Sequence, residues 1–271
     1  MITKAIIPVA GWGTRRLPVT KAIEKCMLPV GNRPIVDYVV QDCIAAGITD
    51  IYFVVSEQST QLHDFYRNNI ELNDYLRRNG KEDLLPMIAP PKVRFHYVVQ
   101  SSYGKYGTSI PVALAYEAMG SLDESVVVLM GDDCIYNADG SSEVKRLIDA
   151  TPEGECAMLG VEVPHERVNQ YGVIEMNEFD DFMRIVEKPP LEDAPSNFVN
   201  TGKYVFNSAT LREIVAHANT QQRGEYYITD PINRTVEHGI RIKVVPAQGV
   251  YLDTGTVEGW LAANEYILHS E

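Results

Sequence analysis

Residues 10–29 read AGWGTRRLPVTKAIEKCMLP, and this stretch is the most informative part of the chain. It follows residues 5–9 (AIIPV), a short apolar run that is typical of a buried strand. Gly11 and Gly13 allow the backbone to turn sharply and to approach a ligand closely. Four cations follow within the next dozen residues: Arg15, Arg16, Lys21 and Lys25. A tight loop with exposed amides and this many positive charges predicts a polyphosphate-binding site.

Two common phosphate-binding motifs do not fit this loop. The Rossmann fingerprint needs a third glycine at position 16, which is Arg16 here, and the P-loop needs Gly-Lys followed by Ser or Thr. The remaining alternative is a basic surface turn in which the glycines serve only the backbone geometry. The close spacing of the cations favours phosphate binding over that alternative.

The same stretch resembles the signature of the sugar-nucleotide pyrophosphorylases, and it is most similar to that of the bacterial UTP–glucose-1-phosphate uridylyltransferases. The likeness begins with Gly11-x-Gly13-Thr14-Arg15-x-Leu17-Pro18-x-Thr20-Lys21 and Lys25-x-Met27-Leu28-Pro29, continues over residues 33–50 and reaches Asp253-Thr254-Gly255. The resemblance implies a Rossmann-like α/β fold of the nucleotide-diphospho-sugar transferase type. In that fold a mixed, mainly parallel sheet is flanked by helices and carries a small β-rich sugar-binding part.

Composition is that of an ordinary globular protein, with 45% hydrophobic and 23% charged residues in a chain of 271. No apolar run is long enough to cross a bilayer, and the N-terminus lacks the layout of a signal peptide. The four cysteines, at positions 26, 43, 134 and 156, are widely spaced and indicate reduced thiols. We therefore expect a cytoplasmic protein without a membrane partner.

Charge is distributed unevenly along the chain. The formal net charge of −13 argues against binding to nucleic acid. Residues 1–33 hold six cations against the single acid Glu24, so this segment carries +5 and the remainder −18. An acidic protein with one basic loop would concentrate small anions at that loop.

The order of the predicted elements indicates a single domain over residues 1–271. The first half alternates strands and helices, as parallel sheets do, and includes a helical insertion at 70–86. Its predicted strands are 3–9, 50–55, 93–99 and 125–130, and its helices are 34–46 and 109–118. The second half has predicted strands at 156–163, 172–176, 182–186, 198–206 and 240–246, and helices at 208–218, 229–238 and 257–268. We expect residues 1–135 to bind mainly nucleotide and residues 136–271 mainly sugar.

Two aspartates follow strand-like segments at distant positions, Asp132 after VVVLMG and Asp253 after YL. Ligands of open α/β sheets bind at the carboxyl ends of strands. Mg²⁺ needs only one or two protein carboxylates when phosphate and water supply its other ligands. On chemistry alone, either residue could equally be a turn or cap aspartate. The resemblance implies that both hold Mg²⁺.

The resemblance also implies a set of substrate contacts. In the Glu-Lys-Pro motif, Glu187 would accept hydrogen bonds from sugar hydroxyls and Lys188 would contact the sugar phosphate. The backbone would pass close to the sugar at Gly172 and Gly202. Gln100 would read the base, with Gly107 against the nucleotide, and the other implied nucleotide contacts are Ala10, Gly11, Gly13, Thr14 and Asp132.

The implied reaction makes UDP-glucose and pyrophosphate from UTP and glucose 1-phosphate by a Mg²⁺-assisted, in-line displacement. Arg15, Lys25 and Lys188 would be its catalytic residues. One alternative is a thymidylyltransferase that uses dTTP, and another is a regulatory module that binds a nucleotide sugar without turnover. The presence of Arg15, Lys25, Asp132 and Asp253 favours an enzyme over the module. We also expect a homo-oligomer.

Overall fold

A nine-stranded sheet runs through the centre of the protein in the computed structural model, which describes residues 1–270. The strands of the chain are β1 (Lys4–Pro8), β2 (Pro29–Val30), β3 (Arg33–Pro34), β4 (Asp50–Ser56), β5 (Arg94–Gln100), β6 (Val126–Leu129), β7 (Asp133–Tyr136), β8 (Cys156–Glu162), β9 (Gly172–Met176), β10 (Phe182–Glu187), β11 (Phe198–Phe206), β12 (Ile242–Pro246) and β13 (Val250–Asp253). The α-helices are α1 (Ile35–Ala45), α2 (Gln61–Tyr66), α3 (Ile70–Arg78), α4 (Ser109–Ala118), α5 (Glu143–Ala150), α6 (Ser208–Asn219), α7 (Thr229–Glu237) and α8 (Val257–Ser270). Short 3₁₀ turns lie at Thr14–Arg16, Val19–Lys21, Lys25–Met27, Glu82–Ile88, His165–Gln170 and Leu191–Asp193.

The central sheet has the order β10-β9-β11-β6-β1-β4-β5, with β8 joined to β11 and β12 joined to β8. Strands β6, β1, β4 and β5 are parallel to one another, whereas β11 is antiparallel to β6, β8 and β9. The Rossmann-like α/β fold with a mixed sheet is therefore confirmed. None of the helices within residues 1–270 combines the length and the apolar character that a membrane span requires.

The hydrophobic core lies on both faces of this sheet. Ile7 is buried with side chains of α1, α5 and α8 on one face, and Ile6 with side chains of α4, α6 and α7 on the other. Successive side chains of a strand point to opposite faces, so a strand covered on both sides needs a continuous apolar run. The run at residues 5–9 is such a strand, and it holds the loop that follows it at the centre of one sheet edge.

The structure differs from the sequence prediction at the end of β6. The strand predicted at 125–130 ends at Leu129, and a strand that was not predicted, β7, starts at Asp133, so Asp132 lies between the two. A Cβ atom on Gly131 would lie 2.5 Å from Cγ1 of Val9, so the chain passes very close to β1 there. The backbone then leaves the sheet, and β7 pairs with β13 in a separate two-stranded ribbon.

The insertion predicted at 70–86 is helical, but it is divided into α3 and a 3₁₀ turn. The strands β9 and β10 form an antiparallel hairpin, with Asp180 at a φ of 59° in its turn. Two helices that the sequence analysis did not predict, α2 and α5, are short.

Glu143 at the start of α5 connects this helix to the segment that precedes β13. Its side chain is buried and pairs with Arg146, and one carboxylate oxygen accepts hydrogen bonds from the amides of Gln248 (2.9 Å) and Gly249 (2.8 Å). A buried carboxylate with this many donors is stabilising only while all of its partners stay in place.

We predict that Glu143→Ala lowers the free energy of unfolding by about 3 kcal/mol, because it leaves two backbone amides and Arg146 without their acceptor. Asp149→Ala is the matched control, since its ion pair with Lys145 lies on the same helix with both side chains more than half exposed. It should change stability by no more than about 0.5 kcal/mol. Urea denaturation of both variants measures the difference, and equal losses would contradict the role of burial.

Candidate active site

A cavity of about 610 Å³ opens at the carboxyl ends of the parallel strands. Its walls are the loop after β1, the loop between β5 and α4, and the segment after β6. The residues predicted to bind nucleotide all line it, together with two of the predicted catalytic residues: Ala10, Gly11, Gly13, Thr14, Arg15, Lys25, Gln100, Gly107 and Asp132. The placement agrees with the rule for ligand sites in open α/β sheets.

The basic loop folds back on itself at Gly13. This glycine has a φ of 62°, and a Cβ atom there would lie 3.0 Å from both Cβ of Lys25 and Cγ2 of Thr20. The hydroxyl of Thr20 also donates to the carbonyl of Gly13 over 2.9 Å. The two limbs of the loop are thus packed together, which brings Lys25 to the cavity wall.

The cations of this loop have different surroundings. Arg16 is buried, donates to the carbonyl of Thr256 and lies 5.0 Å above the ring of Trp260, so it supports the fold. Arg15 is exposed at the cavity, and within residues 1–270 its side chain has neither a hydrogen bond nor an ion pair. Lys21 is exposed and does not line the cavity. Two of the four cations, Arg15 and Lys25, therefore face the predicted phosphate site.

Lys25 forms an ion pair with Asp132 across the cavity. Desolvation by itself would raise the pKa of Asp132, but the positive charges of Lys25 and Lys203 hold this pKa below its usual range. Asp132 is therefore ionised at neutral pH. Its side chain is still 39% exposed, so it is accessible to a ligand.

The ribbon of β7 and β13 brings Asp253 to the same region. Asp253 stands opposite Asp133 in the strand register, and its carboxylate accepts a hydrogen bond of 3.0 Å from the hydroxyl of Tyr171. The next residue, Thr254, donates to the carbonyl of Asp132 over 2.6 Å. The segment that carries Asp253 is thus attached to the backbone of Asp132, although Asp253 itself is not part of the cavity lining that the structure describes.

Asp133 has a different environment from its neighbour Asp132. It pairs with the buried Lys203 and accepts a hydrogen bond of 2.9 Å from Tyr251. Burial, opposed by Lys203 and reinforced by the charges of Asp132 and Asp253, raises the pKa of Asp133 to about 6. Both carboxylate oxygens of Asp133 therefore already accept hydrogen bonds from protein side chains.

No group of three or more His, Cys, Asp and Glu side chains in the described part of the chain could hold a metal by itself. Asp132 and Asp253 nevertheless fit Mg²⁺ in the manner of nucleotide sites, in which phosphate and water oxygens complete the coordination. Asp133 fits this role poorly because it is ion-paired with the buried Lys203. Asp253 carries no such ion pair within the described residues, but a metal there would share its oxygens with Tyr171 and the amide of Gly255.

The residues predicted to bind sugar lie beside the cavity. Gly172 and Glu187 are register partners in β9 and β10, and a Cβ atom on Gly172 would lie 2.9 Å from Oε2 of Glu187. The amide of Lys188 donates to the carbonyl of Tyr171 over 2.9 Å. At Gly202 the backbone lies close to Met130, which lines the cavity. A Cβ atom on this glycine would lie 2.6 Å from Cγ of Met130. None of the four predicted sugar residues is itself part of the cavity lining that the structure describes.

Glu225 connects the sugar residues with the cavity. It lines the cavity, and its charge adds to desolvation in raising the pKa of Glu187, which Lys188 opposes. Trp12 and Tyr106 also line the cavity, each with 58% of its surface exposed. Sequence analysis assigned no role to these three residues. Trp12 lies within the motif, but no sequence signal pointed to Glu225, which enters from the loop after α6.

Known proteins share both this fold and this length. A family model described as Nucleotidyl transferase matches residues 4–270. The UTP–glucose-1-phosphate uridylyltransferase of Pseudomonas aeruginosa is 32% identical over 274 residues, covering 98% of this chain and 96% of its own. A UTP-bound UGPase from Acinetobacter baumannii has a TM-score of 0.87 at 30% identity, covering 98% of this chain and 93% of its own. A UDP-glucose pyrophosphorylase complexed with UDP-glucose has a TM-score of 0.84 at 27% identity over the full length of both chains.

We predict that UTP, the nucleotide expected from the sequence, changes the tryptophan fluorescence through Trp12. The protein has two tryptophans, and the indole of Trp260 is already held by a 2.7 Å hydrogen bond to Pro29 and by Arg16. A ligand in the cavity should cover the exposed ring of Trp12. Titration of Trp12→Phe should therefore lose the signal, and Trp260→Phe should keep it. The reverse pattern would place the nucleotide elsewhere.

Proposed function

This chain belongs to the nucleotidyl transferase family, and on that premise we propose that it is a UTP–glucose-1-phosphate uridylyltransferase. The reaction joins UTP and glucose 1-phosphate into UDP-glucose with release of pyrophosphate. The observation that carries the proposal is the cavity in which Arg15, Lys25 and Asp132 converge. The names of the Pseudomonas and Acinetobacter relatives, which match nearly the whole chain, support the choice of substrates.

The proposed chemistry needs little more than alignment and neutralisation of charge. A sugar phosphate is already an anionic nucleophile near pH 7, so no general base or covalent intermediate is required. Its attack on the α-phosphate proceeds in line with the departing pyrophosphate. Cationic side chains that face the phosphates can supply the stabilisation of the transition state.

Three cations have the proposed catalytic roles. Arg15 has no partner within the described chain, so it is free to contact the departing pyrophosphate. Lys25 would contact the reacting phosphates next to Asp132. Lys188, adjacent to Glu187 on the sugar side, would hold the phosphate of the sugar.

We propose Mg²⁺ as the divalent cofactor, held by Asp132 and Asp253. When bound, the ion would neutralise phosphate charge that the protein cations alone leave exposed. The ionised, accessible carboxylate of Asp132 supports this assignment, as does the hydrogen bond from Thr254, the residue next to Asp253, to the carbonyl of Asp132.

Gln100 is the proposed reader of the base. Its side-chain amide can donate and accept at the same time, which matches the imide edge of uracil or thymine. Residues 1–135 would then form mainly the nucleotide-binding half and residues 136–271 mainly the sugar-binding half of a single domain. In the second half, Glu225 lines the same cavity as the predicted nucleotide contacts, and Thr254 donates to the carbonyl of Asp132.

The remaining proposals concern the cellular location and the oligomeric state of the protein. All four cysteines are free and buried, which supports the proposed cytoplasmic location. Homo-oligomerisation stays a prediction.

Pyrophosphate release from pairs of nucleoside triphosphates and sugar 1-phosphates tests the proposed function. We expect UTP with glucose 1-phosphate to be the best pair, dTTP to be weaker and purine nucleotides to be negligible. A preference for dTTP would favour a thymidylyltransferase. Binding of UDP-glucose without turnover of any pair would reject the enzyme in favour of a regulatory module.

We predict that Arg15→Ala lowers kcat by about 30- to 1000-fold, because one charge-assisted phosphate contact in the transition state is lost. Lys21→Ala is the matched control, since it removes another exposed cation of the same loop that does not line the cavity. It should retain near wild-type kcat. Steady-state kinetics that show equal losses would reduce the role of Arg15 to general attraction of anions.

We predict that Glu187→Gln raises the KM for glucose 1-phosphate by about tenfold and leaves the affinity for UTP nearly unchanged, because a charged acceptor for sugar hydroxyls is lost. Glu175→Gln on the neighbouring strand is the control, since its carboxylate pairs with Arg184 instead. Kinetics and calorimetry separate the two substrates. Loss of UTP binding in Glu187→Gln would contradict the sugar assignment.

A further inference from the structure

Glu24 is the one acid among the cations of residues 1–33, and its carboxylate does not line the nucleotide cavity. It lies instead against the residues that begin α2. The carboxylate accepts hydrogen bonds from the hydroxyl of Ser59 (2.6 Å) and from the amides of Thr60 (2.9 Å) and Gln61 (2.8 Å). Three donors to one carboxylate form a strong, charge-assisted contact.

The contact is reciprocated by the side chain of Gln61. Its carbonyl oxygen accepts from the amide of Glu24 over 2.9 Å, and its amino group donates to the carbonyl of Ala22 over 2.9 Å. These five hydrogen bonds between residues 22–24 and 59–61 are called the Glu24 anchor below. The helix to which Glu24 is bonded is fixed in the core, because Leu62 and Tyr66 of α2 are buried there.

The Glu24 anchor immediately precedes the catalytic candidate Lys25. The carbonyl of Glu24 accepts from the amide of Met27 over 2.8 Å, which closes the turn in which Lys25 stands. Glu24 therefore extends toward α2, while the ammonium group of Lys25 reaches Asp132 in the cavity. The flexible side chain of a lysine depends on its backbone for position, since its own four-carbon stem is mobile.

We propose that Glu24 is a positioning residue, which holds the backbone of Lys25 so that its ammonium group stands at the phosphate site. An acid that faced the phosphate-binding site would repel the substrate. Glu24 is tolerated in this loop because the amides at the start of α2 accommodate its negative charge. The effect on turnover rests on the proposed function, whereas the anchor itself does not. The two parts are therefore tested separately.

Hydrogen exchange of the ligand-free protein tests the anchor. In Glu24→Ala the amides of residues 22–27, 60 and 61 should exchange about 10- to 100-fold faster, because several hydrogen bonds of about 1 kcal/mol each are lost. Glu24→Gln retains one acceptor oxygen and should lie between this variant and the wild type. Glu57→Ala removes an exposed acid near the same helix and should change nothing. Unchanged exchange at residues 22–27 in Glu24→Ala would overturn the proposal.

A double-mutant cycle with Lys25→Ala tests the effect on turnover. In the wild-type background, Glu24→Ala should lower kcat by about 10- to 100-fold at nearly constant KM for glucose 1-phosphate, since a misplaced catalytic group costs rate. In the Lys25→Ala background, the same change should cost less than about twofold, because the residue through which it acts is gone. Equal losses in both backgrounds would show a general structural role and overturn the proposal. Absence of turnover in the wild type would reject the proposed function instead, and the exchange experiment alone would then decide on the anchor.

Discussion

The ion pair between Lys25 and Asp132 joins two parts of the chain that are 107 residues apart, and the candidate active site is built around it. It depends on the parallel pairing of β1 with β6, in which Ile6 stands beside Val128. Strands that run side by side in the same direction release their loops at the same edge of a sheet. The apolar runs of β1 and β6 require both strands to be buried within the sheet. The basic loop and Asp132, which follow these two strands, therefore meet.

Two adjacent carboxylates of the site, Asp132 and Asp133, have different pKa values because their environments differ. Asp132 faces the cavity and has a lowered pKa, whereas burial beside Lys203 raises the pKa of Asp133 to about 6. The buried pair of Asp133 and Lys203, together with Tyr251, holds the ribbon of β7 and β13 against β11. Asp253 stands at the end of this ribbon, where its carboxylate accepts hydrogen bonds from Tyr171 and from the amide of Gly255. Asp133 thus supports the structure, whereas Asp132 keeps exposed surface at the cavity.

Most of the central fold could be predicted from the sequence because long apolar runs and helical periodicity mark β1, β4, β5, β6, α1 and α4. Strands β7 and β13 have four residues each and are stabilised mainly by one another, so local sequence carries little trace of their pairing. Charge and glycine spacing predicted phosphate binding by the basic loop, whereas its individual cavity residues were implied by the resemblance to a family that the comparisons confirmed. Charge alone could not separate Arg15 from the buried Arg16, because the partner of Arg16 is Trp260, near the other end of the chain. The roles assigned to individual site residues stay predictions.

The most direct test of this account is the rate of pyrophosphate release by Asp132→Asn compared with Asp133→Asn, with thermal unfolding of both. The account predicts that Asp132→Asn keeps its folded structure and loses turnover. It predicts that Asp133→Asn, which leaves Lys203 buried beside a neutral partner, loses stability and retains turnover per folded molecule. Near wild-type kcat in Asp132→Asn with Mg²⁺ present would contradict the assignment of the site.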